Sequence, residues 1–357
     1  MSGNHQSLGR RDFLRKLAVG ATGAAATSLA GCGRRGTGIA EVPPPQPTTP
    51  PAPTPEPEAP SEASRVVIAR HSGAHDAPRQ LNRKAVEELV DFAVTKLSGE
   101  SDVQKAWEQF FGSDDVVGIK VGTIGRAKIA TEPLLVAVVA ERLQAMGIAA
   151  RNIVIWDRNA DELRQAGYEL EPGPSGVQCT SHGNDWDAPT KSGVWSGRFT
   201  RWLTQYTSAL INMPVLKDHG GAGITCAMKN HYGSINNPGR CHGNNCDPYI
   251  ADINAHAAVT SKTRLILADA TRVCWDQGPV PSSLERVVWA YSGILCSQDP
   301  VALDYQGWQI IEAKRAEAGA PSLEQTGRLP KHIASAAARG LGTDNPEHMD
   351  IIDTDLA

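Results

Sequence analysis

The chain has 357 residues, of which 41% are hydrophobic, 5% aromatic and 21% charged, and its formal net charge is −4. This composition excludes a collagen, a wholly disordered chain, a polytopic membrane protein and a small disulfide scaffold. A mildly acidic chain also lacks the basic surplus of a dedicated nucleic-acid binder, so we expect no nucleic-acid partner.

The N-terminus resembles a twin-arginine export signal. Arg10 and Arg11 precede a polar residue, a Phe-Leu pair and a mildly hydrophobic stretch that is too short for a stable membrane span. Residues 29–32, Leu-Ala-Gly-Cys, resemble a lipobox in which Cys32 is lipidated and becomes the new N-terminus. We therefore expect residues 1–31 to be a signal peptide, and the protein to be a periplasm-facing lipoprotein of the cell envelope. The alternative is an ordinary secretory signal in which Cys32 is incidental.

This signal implies partners outside the folded chain, namely the twin-arginine translocase, the lipoprotein maturation machinery and a membrane that holds the lipid anchor. Residues 1–31 carry four basic residues and one acidic residue, so their removal would shift the net charge from −4 to −7. Residues 32–64 are predicted to be a tether. Ten of the 24 prolines lie between residues 41 and 60, and such a segment favours extended polyproline II.

Residues 65–357 are predicted to form a single α/β domain, because short β-branched runs alternate with helical patterns. The predicted buried strands are residues 65–69, 116–121, 152–156, 208–212 and 264–269. The predicted helices are residues 82–97, 131–147, 161–166 and 299–318, with Asn82, Thr131 and Asp299 as N-caps. This succession favours a largely parallel, Rossmann-like sheet with helices on both faces, in a strand order that the sequence leaves undetermined.

Lysines and glycines follow two of these strands, and ligands of open α/β sheets bind beyond the carboxyl ends of strands. Lys120 lies at the end of one strand, and residues 217–223, Lys-Asp-His-Gly-Gly-Ala-Gly, follow another. Glycines allow backbone N–H groups to approach a ligand, and lysines neutralise an anion. The candidate binding residues for a carboxylate or phosphate are Lys120, Lys217, Lys229 and Asn230. The spacing matches neither a Walker motif nor a dinucleotide fingerprint.

Two histidines accompany these lysines. His219 and His231 are candidate general bases, because an unperturbed imidazole titrates near neutral pH. Each is equally consistent with a metal ligand or with a hydrogen-bonded structural histidine.

The same segments resemble a known family. Three segments are similar to the signature of the family called domain of unknown function 362. They are residues 217–219 (Lys-Asp-His), 223–225 (Gly-Ile-Thr) and 229–233 (Lys-Asn-His-Tyr-Gly). Further blocks around residues 118–121, 131–133, 251–254, 267–270 and 297–304 agree with it in order, so the resemblance spans residues 116–308. The family has no established activity, so the resemblance implies the fold and not a reaction. Some relatives carry ferredoxin-type cysteine clusters, whereas this chain has no Cys-x-x-Cys-x-x-Cys run.

A second cluster lies in a turn-rich segment that contains Cys241, His242 and Cys246. We expect a Cys241–Cys246 disulfide, because six cysteines remain after Cys32 in an oxidising compartment. A metal site is the alternative, with Cys226 or His256 completing the ligands. Free thiols are the third possibility.

Three functions therefore remain open. The first is an envelope enzyme that binds an anionic small molecule through the lysines and moves a proton with a histidine. The second is a metal- or redox-cofactor protein that uses the Cys/His segment 226–256. The third is a non-catalytic binding lipoprotein. The sequence identifies no cofactor, although a metal is possible.

Overall fold

The computed structural model of the protein describes residues 63–170 and 176–357. The predicted signal peptide, Cys32 and the tether up to residue 62 lie outside the described residues. In the two described ranges, no helix is both long enough and apolar enough to cross a membrane.

The described part of the chain contains short strands, α-helices and turns of 3-10 helix. The strands are β1 Ser64–His71, β2 His75–Ala77, β3 Gln80–Leu81, β4 Val117–Val121, β5 Ile153–Asp157, β6 Gln178–Ser181, β7 Thr190–Ser192, β8 Trp195–Gly197, β9 Ala209–Met213, β10 Val215–His219, β11 Gly223–Thr225, β12 Thr263–Cys274, β13 Val288–Trp289, β14 Gly293–Ser297 and β15 Met349–Leu356. The α-helices are α1 Arg83–Ser98, α2 Val103–Glu108, α3 Pro133–Ala145, α4 Ala160–Gln165, α5 Tyr249–Asn254, α6 Ala257–Thr260, α7 Leu284–Val287, α8 Pro300–Glu317 and α9 His332–Ala337. The 3-10 segments are Ala150–Asn152, Met228–Ser234, Pro238–Cys241, Gly243–Cys246 and Pro346–His348, and Trp202–Tyr206 is a π-helical turn.

One large sheet organises these elements, in the order β15-β1-β14-β12-β9-β4-β5-β6. The strands from β12 through β9, β4 and β5 to β6 are parallel, and so are β1 and β15. β14 is antiparallel to both β1 and β12. β10 pairs in parallel with β12 and in antiparallel with β11. This is the predicted largely parallel, Rossmann-like α/β fold, and the structure supplies its strand order.

Apolar side chains alternate between the two faces of the sheet, as strand geometry requires. On β1, Val67 and Ala69 belong to one buried cluster with α1 and α3. Val66 and Ile68 belong to a second cluster with α5, α8 and α9. Helices therefore cover both faces, which explains why the central strands are apolar on both sides.

Several predicted helix boundaries are confirmed. Asn82 caps α1 by accepting a hydrogen bond from the backbone N–H of Ala85, and Asp299 caps α8 by accepting from Val301 and Ala302. The prediction that Thr131 caps α3 was wrong, because Glu132 occupies the N-cap position. The Thr131 hydroxyl instead accepts from the Gly122 N–H at 3.0 Å and donates to the Met213 carbonyl at 2.8 Å.

Candidate functional site

A cavity of about 250 Å³ lies at the carboxyl ends of β4 and β5, beside β10 and the 3-10 segment Met228–Ser234. This is where open parallel sheets bind their ligands. Six residues predicted from the sequence line this cavity: Lys120, Lys217, His219, Lys229, Asn230 and His242. We call it the lysine cavity.

The floor of the lysine cavity is an ion pair between two adjacent parallel strands. Lys120 on β4 lies beside Trp156 on β5 in the sheet register, so its Nζ reaches the carboxylate of Asp157 at 2.8 Å. Burial alone would raise the pKa of Asp157, but Lys120, Thr123 and the N–H of Arg158 hold it below its ordinary value. Burial lowers the pKa of Lys120 and the Asp157 carboxylate opposes that shift, so the ammonium already has a counter-charge within the protein.

Asn230 and Gly233 fit closely around this pair. The Asn230 amide donates to the Lys120 carbonyl at 3.2 Å and to Asn212 Oδ1 at 2.7 Å, and its oxygen accepts from Lys120 Nζ at 3.3 Å. A side chain at Gly233 would place a Cβ only 2.7 Å from both Lys120 Nζ and Asp157 Oδ1. Asn230 thus positions Lys120, and glycine lets the backbone lie against the pair.

Lys217 has no such partner. It lies in β10, its residue is 1% exposed, and its Nζ has no hydrogen-bond partner among the described residues. Burial lowers the pKa of Lys217 to about 8. A buried, unpaired ammonium is costly in a folded protein unless a ligand satisfies it.

Lys229 lies opposite, on the 3-10 segment. Its Nζ is 3.3 Å from the centroid of the Tyr232 ring and 3.5 Å from Nε2 of His242. Within the described ranges, no carboxylate forms an ion pair with it. Burial lowers the pKa of Lys229 to about 7. The ring face offers a weak cation–π contact but no counter-charge.

The neutral rings of the two cavity histidines, His219 and His242, carry their proton on different ring nitrogens. His219 Nδ1 accepts from the backbone N–H groups of Gly221 and Ala222, both at 3.0 Å, so in the neutral ring Nε2 carries the proton. Burial lowers the pKa of His219 to about 2. His242 Nδ1 lies 3.0 Å from the Pro238 carbonyl, which only an N–H can satisfy, so its Nε2 keeps a lone pair. The two rings stack at 5.5 Å.

The turn that holds His219 depends on one glycine. Gly223 has φ +79°, and a Cβ there would lie 2.2 Å from the Arg328 carbonyl oxygen. Only glycine allows β11 to pair back onto β10 in this position, so the predicted glycine-rich segment is a hairpin that presents Lys217 and His219.

His231 does not join this group. The 3-10 helix has three residues per turn, so Lys229 and Tyr232 share one side and His231 faces another. His231 is 1% exposed, and its Nδ1 lies 3.2 Å from the Ser234 hydroxyl. Burial lowers the pKa of His231 to about 3. It lines a separate cavity of about 240 Å³ with Asn212 and Asn254 and is not among the residues that line the lysine cavity.

The preferred Cys241–Cys246 disulfide is not formed, and this expectation is corrected. Both residues are buried free thiols. The Tyr232 hydroxyl donates to the Cys241 carbonyl and hydrogen-bonds with the Cys246 thiol, so Tyr232 contacts both residues.

The predicted metal ligands are also not assembled. Over residues 63–170 and 176–357, no group of three or more His, Cys, Asp or Glu side chains is arranged to hold a metal ion. His256 is used as the N-cap of α6 and contacts Thr190. Cys226 is fully buried against Gly307 of α8.

Sequence reasoning missed four residues that line the cavity: Asp157, Arg158, Glu162 and Tyr232. Asp157 and Arg158 directly follow a predicted buried strand, so the rule that identified Lys120 applies to them equally. Burial raises the pKa of Glu162, which lies 3.8 Å from Arg158. The lining contains four cationic side chains and two carboxylates, and Asp157 neutralises only one of the cations.

Comparison with known proteins identifies one family and several distantly similar solved structures. No curated protein matches the chain. The lactate racemase apoprotein from Thermoanaerobacterium thermosaccharolyticum is similar with a TM-score of 0.40 and 9% identity, over 69% of this chain and 57% of that one. A crystal structure of a protein from Thermotoga maritima is similar with a TM-score of 0.37 and 10% identity, over 77% and 88% of the two chains. The chain thus spans less than two thirds of the racemase apoprotein.

The sequence profile of the domain of unknown function DUF362 matches residues 117–309. That range is more than half of the chain, and it includes every residue that lines the lysine cavity. It also coincides with the blocks from which the resemblance was predicted. The chain belongs to the family of domain of unknown function DUF362.

Proposed function

We propose that the lysine cavity binds a small anionic molecule and that Lys217 is the principal residue that binds it. The observation that carries this proposal is the buried Lys217 ammonium, which has no hydrogen-bond partner among the residues that the structure describes. A carboxylate or phosphate oxygen at that point would satisfy the ammonium and restore its charged form.

The other charged and polar side chains of the cavity also favour an anionic ligand. Lys229 and Arg158 add positive charge, and His219 offers an Nε2–H donor. Glu162 opposes an anion, but it lies beside Arg158. A volume of about 250 Å³ suits a small metabolite.

The cavity also contains a group suited to proton transfer. His242 Nε2 has a free lone pair beside Lys229, whereas His219 Nδ1 is engaged and its Nε2 is protonated. We therefore assign the proton acceptor of a reaction to His242, and not to His219 or His231. An enzyme of this kind is our proposal, and a non-catalytic binding protein is its alternative.

Calorimetric titration with propionate and inorganic phosphate tests the binding site. We expect the wild-type protein to bind at least one of them and Lys217→Met to lose that binding. Lys84→Met is the matched control, because Lys84 is an exposed lysine on α1. Equal affinity in wild type and Lys217→Met would contradict the proposal.

We also propose that the protein is exported and anchored in the cell envelope, facing the periplasm. Arg10 and Arg11, Cys32 and the proline-rich residues 41–60 support this proposal from the sequence alone. Expressed with its own signal, the protein should fractionate with membranes, and Cys32→Ala should release it to the soluble periplasmic fraction. Lys substitution of both Arg10 and Arg11 should retain it in the cytoplasm. Unchanged fractionation of these variants would contradict the proposal.

A further inference from the structure

Building on the proposed anion site, we propose that Lys229 forms a reversible imine with the carbonyl carbon of a small oxo acid whose carboxylate is bound by Lys217. The inference deepens the proposed function, because it names the substrate class and a covalent step. It rests on the different surroundings of the three lysines of the cavity.

Of the three lysines of the cavity, only Lys229 lies in an environment that favours nucleophilic attack by its amine. Lys120 is held as an ammonium by Asp157 at 2.8 Å. Lys217 Nζ has no hydrogen-bond partner among the described residues and is suited to bind an anion. Lys229 is 6% exposed, lies over the face of Tyr232 and has a basic nitrogen, His242 Nε2, at 3.5 Å. Burial, which lowers its pKa to about 7, also favours the neutral amine that attacks a carbonyl.

His242 moves the protons, and His219 holds the carbonyl oxygen with a hydrogen bond. His242 Nε2 accepts a proton from the Lys229 ammonium, which frees the nitrogen lone pair. The lone pair attacks the carbonyl carbon, and the carbonyl π pair moves to oxygen, which accepts a hydrogen bond from the His219 Nε2–H and takes the proton held by His242. His242 next removes a proton from the nitrogen of this carbinolamine and passes it to the hydroxyl. The C–O bond then breaks, water leaves and the nitrogen lone pair forms the C=N bond of the protonated imine, so no oxidant or reductant is needed.

The arrangement of the rings supports this division of roles. His219 and His242 stack at 5.5 Å with an angle of 24° between their planes. His219 is fixed by two backbone N–H groups and His242 by the Pro238 carbonyl. A hydrogen-bond donor for the carbonyl oxygen and a proton-transfer group therefore lie side by side next to Lys229, which is what formation and hydrolysis of an imine require.

Reductive trapping tests the inference. The protein is incubated with pyruvate and sodium cyanoborohydride, and the adduct is measured by intact mass and located by peptide mapping. We expect one adduct per chain, on Lys229, and its loss in Lys229→Arg. His242→Asn should slow trapping about a hundredfold, and Lys84→Arg, on the exposed face of α1, should leave it unchanged.

A parallel titration with propionate, which has no ketone, separates this inference from the anion site. Propionate binding without a pyruvate adduct would overturn the imine and leave the anion site standing. Absence of a pyruvate adduct together with absence of binding of both propionate and inorganic phosphate would overturn both proposals. An adduct spread over exposed lysines, or one that persists in Lys229→Arg, would also overturn the imine.

Discussion

The ammonium of Lys120 lies 2.8 Å from the carboxylate of Asp157, with side chains only 1% and 6% exposed. A cation and an anion that are both removed from water stabilise a fold only while both are present. This pair neutralises one lysine of the cavity and leaves Lys217 and Lys229 without a carboxylate partner among the described residues.

Breaking the Lys120–Asp157 pair should destabilise the protein. We expect Lys120→Met to lower the free energy of unfolding by about 3–5 kcal/mol, because Asp157 would remain buried and uncompensated. The double variant Lys120→Met, Asp157→Asn should lose about 2 kcal/mol less than the sum of the single variants. Urea unfolding of the four proteins measures this coupling. Additive losses would mean that the pair has no structural role.

Removing Lys217 should have the opposite effect on stability. The pKa of Lys217 is about 8 in the folded protein, against an ordinary value of 10.5. That difference corresponds to about 3 kcal/mol of lost stability when the lysine is protonated. We therefore expect Lys217→Met, which keeps the volume and removes the charge, to be more stable than wild type at pH 7.

The pH dependence of this gain gives a sharper test. Between pH 8 and 10.5 the unfolded lysine keeps its proton while the folded one has lost it, so wild-type stability rises relative to Lys217→Met across that range. Unfolding curves at pH 7 and pH 10 measure the difference. Lys262→Met is the control and should lose stability, because Lys262 donates to the Thr204 and Thr207 carbonyls. If the difference in stability between wild type and Lys217→Met does not change with pH, the lowered pKa assigned to Lys217 is refuted.

His219 should be replaceable by asparagine without loss of the fold. In His219→Asn the introduced amide oxygen retains an acceptor near the N–H groups of Gly221 and Ala222, but the Nε2–H donor of the imidazole is removed. We expect stability to change by less than about 1 kcal/mol. Propionate affinity should fall about ten- to a hundredfold, since a hydrogen bond to a charged group is worth roughly 1.5–3 kcal/mol. Unchanged affinity would show that His219 does not contact the anion.

The sequence predicted the fold class and the elements that carry the cavity, because strand and helix patterns are local. It also predicted that Lys120 and Lys217 lie near each other, since carboxyl ends of parallel strands meet at one edge of a sheet. The partner of Lys120 was not predicted, because it depends on the register that places Lys120 beside Trp156. The position of Asp157 directly after a buried strand was the available signal.

The roles of the histidines required coordinates. His231 and Lys229 are two residues apart in the sequence. Their side chains point to different sides because the 3-10 segment has three residues per turn. The proton positions on His219 and His242 follow from backbone groups at Gly221, Ala222 and Pro238, which no side-chain motif records. The disulfide prediction rested on the even number of cysteines in an oxidising compartment, and a count carries no information about which sulfur atoms meet in the fold, where Cys241 and Cys246 are free thiols.

Proton uptake on anion binding tests the central claim most directly. Lys217 and Lys229, with pKa values of about 8 and about 7, are partly neutral at pH 8, and a bound anion should recharge them. Calorimetric titration with propionate in two buffers of different ionisation enthalpy counts the protons. We expect uptake of about one proton per bound anion at pH 8 and close to none at pH 6 in the wild-type protein, and no binding by Lys217→Met. Binding without proton uptake at pH 8, with equal affinity in Lys217→Met, would contradict the central claim.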